Sequence, residues 1–344
     1  MKYLKRFFLS VVLVLSLLLV IVICSAVFVG VWIEKSKWPD FFGNKPENVS
    51  YVTEKTDAND FTFVVVGDVK GGTATFEAML DIIRDDKSAF AVVLGDMVGP
   101  ATEIGHKLFA LEMQEHSQNI PMFVVVGNHD VDPNGSFGVN DFENLYGPAQ
   151  FSFCIGEYLF VFLNDIRPYS ESEEYIDFLE SAIRSREGKI KKTFVFMHVP
   201  VISIDGSLKN SGLSGSERFM ELAKKYNVDY VFAGDHHGYV KQRKDNTTYI
   251  ISGGGGGRLR GEHGKFHHLT RISVKNGLVE ETVVISRKYL ETFELIERNL
   301  AVYIWPIISF NLFSKAVTTV ILVLAFLVFV YSFRRLRRPK KSRI

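Results

Sequence analysis

Hydrophobic positions along the chain fall into two kinds of run. The first kind is long and unbroken. Phe7 to Ile33 is 27 residues without a charge, and at about 1.5 Å per residue it exceeds the roughly 30 Å hydrocarbon thickness of a bilayer. Ala316 to Phe333 is a second such run of 18 residues, just sufficient to span. Both are predicted to be transmembrane helices. A cleaved signal peptide has an apolar core of only about 7–15 residues and a small-residue cleavage site; Phe7–Ile33 is longer and no A-x-A pattern follows it. Leu300 to Ser314 is also apolar, but Pro306 and Asn311 interrupt it and Trp305, Phe310 and Phe313 mark it as an interfacial approach.

The second kind is short, β-branched and aromatic, and alternates with helical periodicity. Phe61–Val66, Ala89–Leu94, Met122–Val126, Tyr158–Leu163, Thr193–Met197, Val228–Ala233 and Tyr249–Ser252 read as strands buried on both faces. Thr73–Arg84, Ala101–Gln118, Ser172–Arg186 and Ser214–Tyr226 read as the helices between them. His268–Val274 and Leu278–Ile285 flank Lys275-Asn276-Gly277, a hairpin signal. Such alternation implies an α/β fold. The resulting organisation is a short terminus 1–6, a span 7–33, a linker 34–60, a segment 61–286 of single-domain size, a linker and interfacial segment 287–315, a span 316–333 and a tail 334–344. Asn134–Tyr146 reads as a loop-rich insert.

Charge orients this arrangement. The chain totals +1 over 344 residues, yet Lys2, Lys5 and Arg6 contribute +3 and the seven cations from Arg334 to Arg343 contribute +7. Subtracting these from the total leaves −9 for residues 7–333. Both basic clusters lie at the outer ends of the spans, so the positive-inside bias places both termini in the cytoplasm and residues of about 40–300 on the other side. Next to a span, a basic tail also meets anionic membrane lipid. With −9 on the body, no nucleic acid partner is expected. Composition excludes collagen-like, disulfide-scaffold and disordered classes. Cys24 falls in the first span and Cys154 in a strand-like run, so the two are not expected to pair.

The candidate chemistry sits where strands end. Gly67-Asp68-Val69-Lys70, Gly95-Asp96, Gly127-Asn128-His129-Asp130, His198-Val199-Pro200 and Gly234-Asp235-His236-His237 each follow a strand. Carboxyl ends of strands are where open α/β sheets bind ligands, and Asp, Asn and His suit divalent cations. Any one such cluster fits a cap or turn. Five in series point to one site.

In this order the clusters resemble the calcineurin-like metallophosphoesterases, whose motifs run D-x-H, G-D-x-x-D, G-N-H-[DE], a lone His and G-H-x-H. The resemblance covers about Phe61 to Ser286. It implies a metallophosphoesterase-type four-layer αββα sandwich and a centre of two divalent metal ions (Mn, Fe, Zn or Mg). Carried over by position, Asp68 and His237 would bind the first metal, Asp96 would bridge both, and Asn128, His198 and Asp235 would bind the second. His236 takes the variable slot. His129 would contact the scissile phosphate and protonate the leaving oxygen, with Asp130 orienting it. The implied reaction is hydrolysis of a phosphoester by a water activated between two cations about 3.5–4 Å apart. Placement in a membrane extends the expected substrates to phosphorylated small molecules or lipids.

Two departures stand out. Lys70 occupies the position of the imidazole in D-x-H, and a charged ammonium does not coordinate a metal. It pairs with Asp68 or the substrate phosphate, gives way to another ligand, or marks a weakened first site. Asp235 replaces a histidine but keeps a ligand. Gly99, at the last position of G-D-x-x-D, replaces no ligand. The opposing expectation is a non-catalytic membrane-anchored module that retains the fold. Elsewhere, Gly253–Gly257 lacks the G-K-[ST] ending of a P-loop and reads as a turn or close-packed segment. Arg258 and Arg260 are candidates for an anionic substrate. His263, His267 and His268 are candidates for a missing ligand, and His106 reads as an exposed or capping residue on its helix.

Overall fold

Alternation along each strand sorts the layers, because successive side chains point to opposite faces. In strand β1 (Asp60–Val66), Phe61, Phe63 and Val65 enter one core and Val64 and Val66 another. Strands β2 (Phe90–Val93) and β3 (Met122–Val124) repeat this with Phe90, Val92 and Phe123 against Ala91, Val93, Met122 and Val124. The remaining strands are β4 (Phe151–Ile155), β5 (Tyr158–Phe162), β6 (Lys192–Phe196), β7 (Tyr230–Ala233), β8 (Tyr239–Lys244), β9 (Thr247–Ser252), β10 (His268–Lys275) and β11 (Leu278–Ile285). The computed structural model describes residues 2–337 apart from 118, 133, 136, 167–168, 203–212 and 261–263.

Two sheets result. The first has the order β11-β10-β1-β2-β3, with β1, β2 and β3 parallel and β10 and β11 antiparallel. The second has the order β4-β5-β6-β7-β9-β8, with β5, β6, β7 and β9 parallel and β4 and β8 antiparallel at its edges. Their phenylalanine faces meet. Phe63 stacks on Phe90 at 5.0 Å and lies edge-on to Phe194 at 5.3 Å and Phe160 at 5.5 Å, a favoured geometry for aromatic pairs. Helices Thr73–Asp85, Glu103–Ser117 and Val139–Tyr146 cover the outer face of the first sheet, and Glu174–Arg184 and Ser216–Lys225 that of the second. This is the four-layer αββα sandwich.

Three readings change. Asn134–Tyr146 is not all loop: Val139–Tyr146 is a helix that buries Phe142 and Tyr146, its start capped by the Asp141 carboxylate accepting from the Gly138 N–H at 2.8 Å. Edge strands β4 and β8 lack a continuous apolar run and so left little periodic signal. The stretch 34–60 holds the helix Pro46–Lys55 and covers the open edge of β3. There the Asn44 amide donates to the Val124 carbonyl and accepts from its N–H, both at 2.9 Å. An exposed strand edge is thereby closed. The hairpin at Asn276-Gly277 forms as expected, both residues at positive φ.

The chain divides into two units, Lys37–Glu294 and a second of Met1–Ser36 with Leu295–Ile344. Within the second, helices Lys2–Lys35 and Leu312–Arg337 are long and apolar enough to cross a membrane, and their apolar side chains mostly face outward. Between them in sequence, Leu300–Ile304 is a π-helical turn and Trp305–Ser309 a short helix. The Trp305 indole packs against Gly30 and donates to Glu34 Oε1 at 2.9 Å. The tail from Arg338 onward lies outside the described residues.

Candidate metal centre

Parallel strands deliver their carboxyl ends to one edge, so the polar residues after β1, β2, β3, β6 and β7 collect there. The loops are tight. Asp68, Asp96 and Asp235 all sit at φ between 55° and 60°, a left-handed region that non-glycine residues enter at a cost. Neighbouring backbone holds them: Asp68 N–H donates to Gly95 O at 3.2 Å and Lys70 N–H to Asp96 O at 2.8 Å. Gly253 closes against this loop, since a Cβ there would lie 2.3 Å from Asp68 Oδ2. Gly255 and Gly257 donate to Gly67 O and Asp68 O at 2.8 and 2.9 Å. The glycine run is close packing around Asp68.

Two donor groups meet at Asp96. One combines Asp68, Asp96 and His237, whose ligand atoms all lie within 4.8 Å of one another. The other surrounds the buried His198 imidazole: Nε2 is 3.0 Å from Asn128 Oδ1, 3.4 Å from Asp96 Oδ1 and 3.8 Å from Asp235 Oδ1. The His198 Nδ1–H donates to the Leu94 carbonyl at 2.7 Å, which leaves Nε2 facing Asn128, Asp96 and Asp235. That tautomer is the one a metal ligand requires.

Electrostatics tests whether these residues suit a cation. Asp68 is fully buried, and neither of its carboxylate oxygens has a close hydrogen-bond partner among the described residues. Burial, reinforced by the charges of Asp96 and Asp235, pushes its carboxyl well above the ordinary carboxylate range, although His198 opposes this. Burial pulls His198 down, but Asp96, Asp68 and Asp235 outweigh it and hold the imidazole up at about 9. Each shift is a request for positive charge. A divalent cation meets it with oxygen and nitrogen ligands, so the residues fit such a group.

Support extends outward. Asp130 is buried and accepts from the N–H groups of Asp96, Met97, Val98 and Gly127 at 2.8–3.2 Å. Its oxygens therefore hold the Asp96 loop, in place of the expected grip on the His129 ring. Burial and the nearby charge of Asp96 push its carboxyl up, against the pull of those N–H bonds. His106 lies beneath it, fully buried and not exposed as expected: Nε2 bonds Asp130 O at 2.8 Å and Nδ1 bonds Tyr146 Oη at 2.9 Å. Asp165 was missed in the sequence. Its carboxylate accepts from the N–H groups of His198 and Val199 at 2.8 and 2.7 Å. It follows β5 just as the other polar clusters follow their strands, which was the available signal.

The remaining candidates separate. His129 stands partly exposed with Nε2 3.9 Å from Asp96 Oδ2, and burial, with the charges of Lys70, His198 and Arg260, holds it below the usual imidazole range despite Asp96. Lys70 is half-buried beside Gly99. Arg258 and Arg260 are exposed, and Arg260 is the one whose charge acts on His129, His236 and His237. His267 and His268 are buried against Gly254 O and Phe266 O. Neither belongs to the group formed by Asp68, Asp96 and His237. His263 lies outside the described residues.

Residues 61–239 match the family described as calcineurin-like phosphoesterase, just over half of the 344 residues. The chain belongs to the calcineurin-like phosphoesterase family. Family members use divalent metals, which agrees with the donor set. The phosphoesterase sequence is 28% identical over 198 residues to a serine/threonine-protein phosphatase, CPPED1, of Rattus norvegicus, over 53% of this chain and 60% of that protein. It spans about three-fifths of the length of the curated relatives it matches. Among solved structures, GAP50, described as the anchor in the inner membrane complex of Plasmodium, superposes with a TM-score of 0.52 at 15% identity, covering 67% of this chain and 86% of that one. Purple acid phosphatase PPD1 from yellow lupin (Lupinus luteus) seeds gives a TM-score of 0.52 at 17% identity, covering 67% and 53%. At these identities the two share the fold. The phosphoesterase fold continues past residue 239 through β9, β10 and β11, because β10 pairs with β1.

Proposed function

We propose that this chain is a membrane-anchored phosphoester hydrolase that binds two divalent cations and acts on a phosphomonoester, phosphodiester or pyrophosphate outside the cytoplasm. The observation that carries the reading is the convergence of two donor groups on Asp96. Asp68 and His237 would serve one cation, and Asn128, His198 and Asp235 the other. When bound, the two cations neutralise phosphate charge and activate a water for attack.

The chain's own residues do the rest. Asp130 and Asp165 fix the loops, so the ligands are held before substrate arrives. His129, partly open to solvent and 3.9 Å from the shared carboxylate, takes in its protonated form the role of general acid toward the leaving oxygen. Lys70 and Arg260, with Arg258 beside them, add positive charge at the rim, which an otherwise acidic domain needs to admit an anionic substrate. The two apolar helices and the basic clusters beyond them support an anchor with both termini in the cytoplasm. A membrane location widens the substrate class to lipid phosphoesters as well as small molecules.

A second reading, a binding module without turnover, is favoured by Lys70 in place of an imidazole and by the likeness in fold to GAP50, whose description is that of an anchor. One experiment separates the two. The full chain in detergent, supplied with Mn²⁺, is assayed on aryl phosphate mono- and diesters, and its metal content is measured. Hydrolysis with two equivalents of metal supports the enzyme. Bound metal without hydrolysis across substrates and metals leaves the binding module, and absence of both sinks the metal centre. A reporter fused after Ile344 and found outside the cytoplasm would overturn the topology.

A further inference from the structure

The helix that follows the Asp68 loop begins without a local cap. Its N-cap is Gly72, which has no side chain to accept from the first turn, and that turn, Thr73–Phe76, contains no acid. Orphan N–H groups at a helix start need acceptors, and a carboxylate there also meets the positive end of the helix dipole. The acceptor comes from the far end of the domain. Glu291 Oε2 accepts from Ala74 N–H at 2.9 Å, and Oε1 accepts from Thr75 N–H at 3.2 Å and from the Thr75 hydroxyl at 2.9 Å. The Thr75 Oγ1 in turn accepts from the Tyr289 N–H at 3.1 Å. Both carboxylate oxygens are thus committed to one helix terminus more than 200 residues earlier in the chain.

The contacts from this terminus to the metal loop are close. Gly72 N–H donates to Val69 O at 2.7 Å, closing the turn that carries Lys70. Gly72 also lies against Gly256, so tightly that a Cβ on Gly72 would come within 2.0 Å of the Gly256 carbonyl carbon. Gly257 then donates to Asp68 O at 2.9 Å. Asp68 itself holds a φ of 60°, which persists only when its surroundings fix it. A helix start free to fray would loosen each of these junctions.

We propose that Glu291 is a positioning residue for the metal loop: by capping the helix after Asp68 it fixes the backbone that presents Asp68 and Lys70. The inference rests on the proposed metal-dependent hydrolase for its activity arm, and on metal binding alone for its other arm. The test uses the full chain in detergent with Mn²⁺ as the probe, comparing wild type with E291A and E291Q. Expected for E291A is Mn²⁺ affinity weaker by roughly three- to tenfold, as one lost cap allows, with kcat reduced and KM little changed. E291Q keeps one acceptor oxygen and should fall between the two, and it carries the test if E291A does not fold. Unchanged affinity and kcat in both variants, with only a lower Tm, would make Glu291 a structural cap and overturn the proposal. If wild type binds Mn²⁺ yet hydrolyses nothing, the hydrolase reading fails while the affinity comparison still decides the role of Glu291.

Discussion

The two sides of the metal centre are held by different means. On one side, His198 is locked by two hydrogen bonds, its Nδ1–H to Leu94 O and its N–H to Asp165, with its Nε2 turned toward Asn128 Oδ1 at 3.0 Å. On the other, Asp68 has a constrained backbone but a carboxylate with no close hydrogen-bond partner among the described residues, and the position two residues on is Lys70. One side is organised by its own hydrogen bonds. The other is enclosed by glycine packing and left in want of positive charge. The contrast teaches that preorganisation and cation demand are separable, and that a donor set can be alike in chemistry while unequal in support.

The largest effect should come from the residue the sides share. D96N removes a charge from both donor groups, so hydrolysis should fall below detection and metal content should drop at both sites; a variant that keeps half its metal would show that the sides are independent. H129A sharpens the comparison from outside. It should lower kcat by roughly 10²-fold or more while metal content stays at the wild-type level, and a loss of metal would mean that His129 is a ligand. D165N acts on one side only, leaving one of the two N–H groups, that of His198 or that of Val199, without its acceptor. Metal affinity there should weaken by about 10–100-fold, read by titration with Mn²⁺.

K70H probes the opposite side. An imidazole in place of the ammonium should tighten binding next to Asp68, up to about tenfold; unchanged affinity would show that this side is already complete. The smallest effect concerns the wall under both. Burial holds His106 down at about 4, below the unfolded value of about 6.5. Stability from this group is therefore full above pH 6.5 and is lost as pH falls toward 4, by on the order of 3 kcal/mol at most. Comparing Tm against pH for wild type and H106Q isolates it, since the acid-side loss should be shallower in the variant.

Much of this was legible in the residues because two periods carry it. Phenylalanine at every second position of β1, β5 and β6 marks the face that meets the other sheet, and each parallel strand except β9 runs into Asp, Asn or His. Asp165 belonged to that pattern and escaped because Leu163-Asn164-Asp165 contains no glycine turn to draw attention. Strand β8 escaped because Tyr239–Lys244 is half-polar at a sheet edge. Asp130 lay in a readable motif, yet three of its four N–H partners, those of Asp96, Met97 and Val98, come from a loop that only folding brings beside it.

The sequence by itself determined the strand and helix order, the two long apolar segments, the charge asymmetry and the ligand types, all of which depend on local periodicity and side-chain chemistry. Tertiary structure alone decided that His237 lies beside Asp68, that Asp130 supports the shared loop, that residues 34–60 close the edge of β3, and that Glu291 caps a helix at the other end of the domain. Those are contacts between distant residues. Their energies depend on distance, burial and backbone geometry, and no local pattern of hydrophobic and polar positions encodes them.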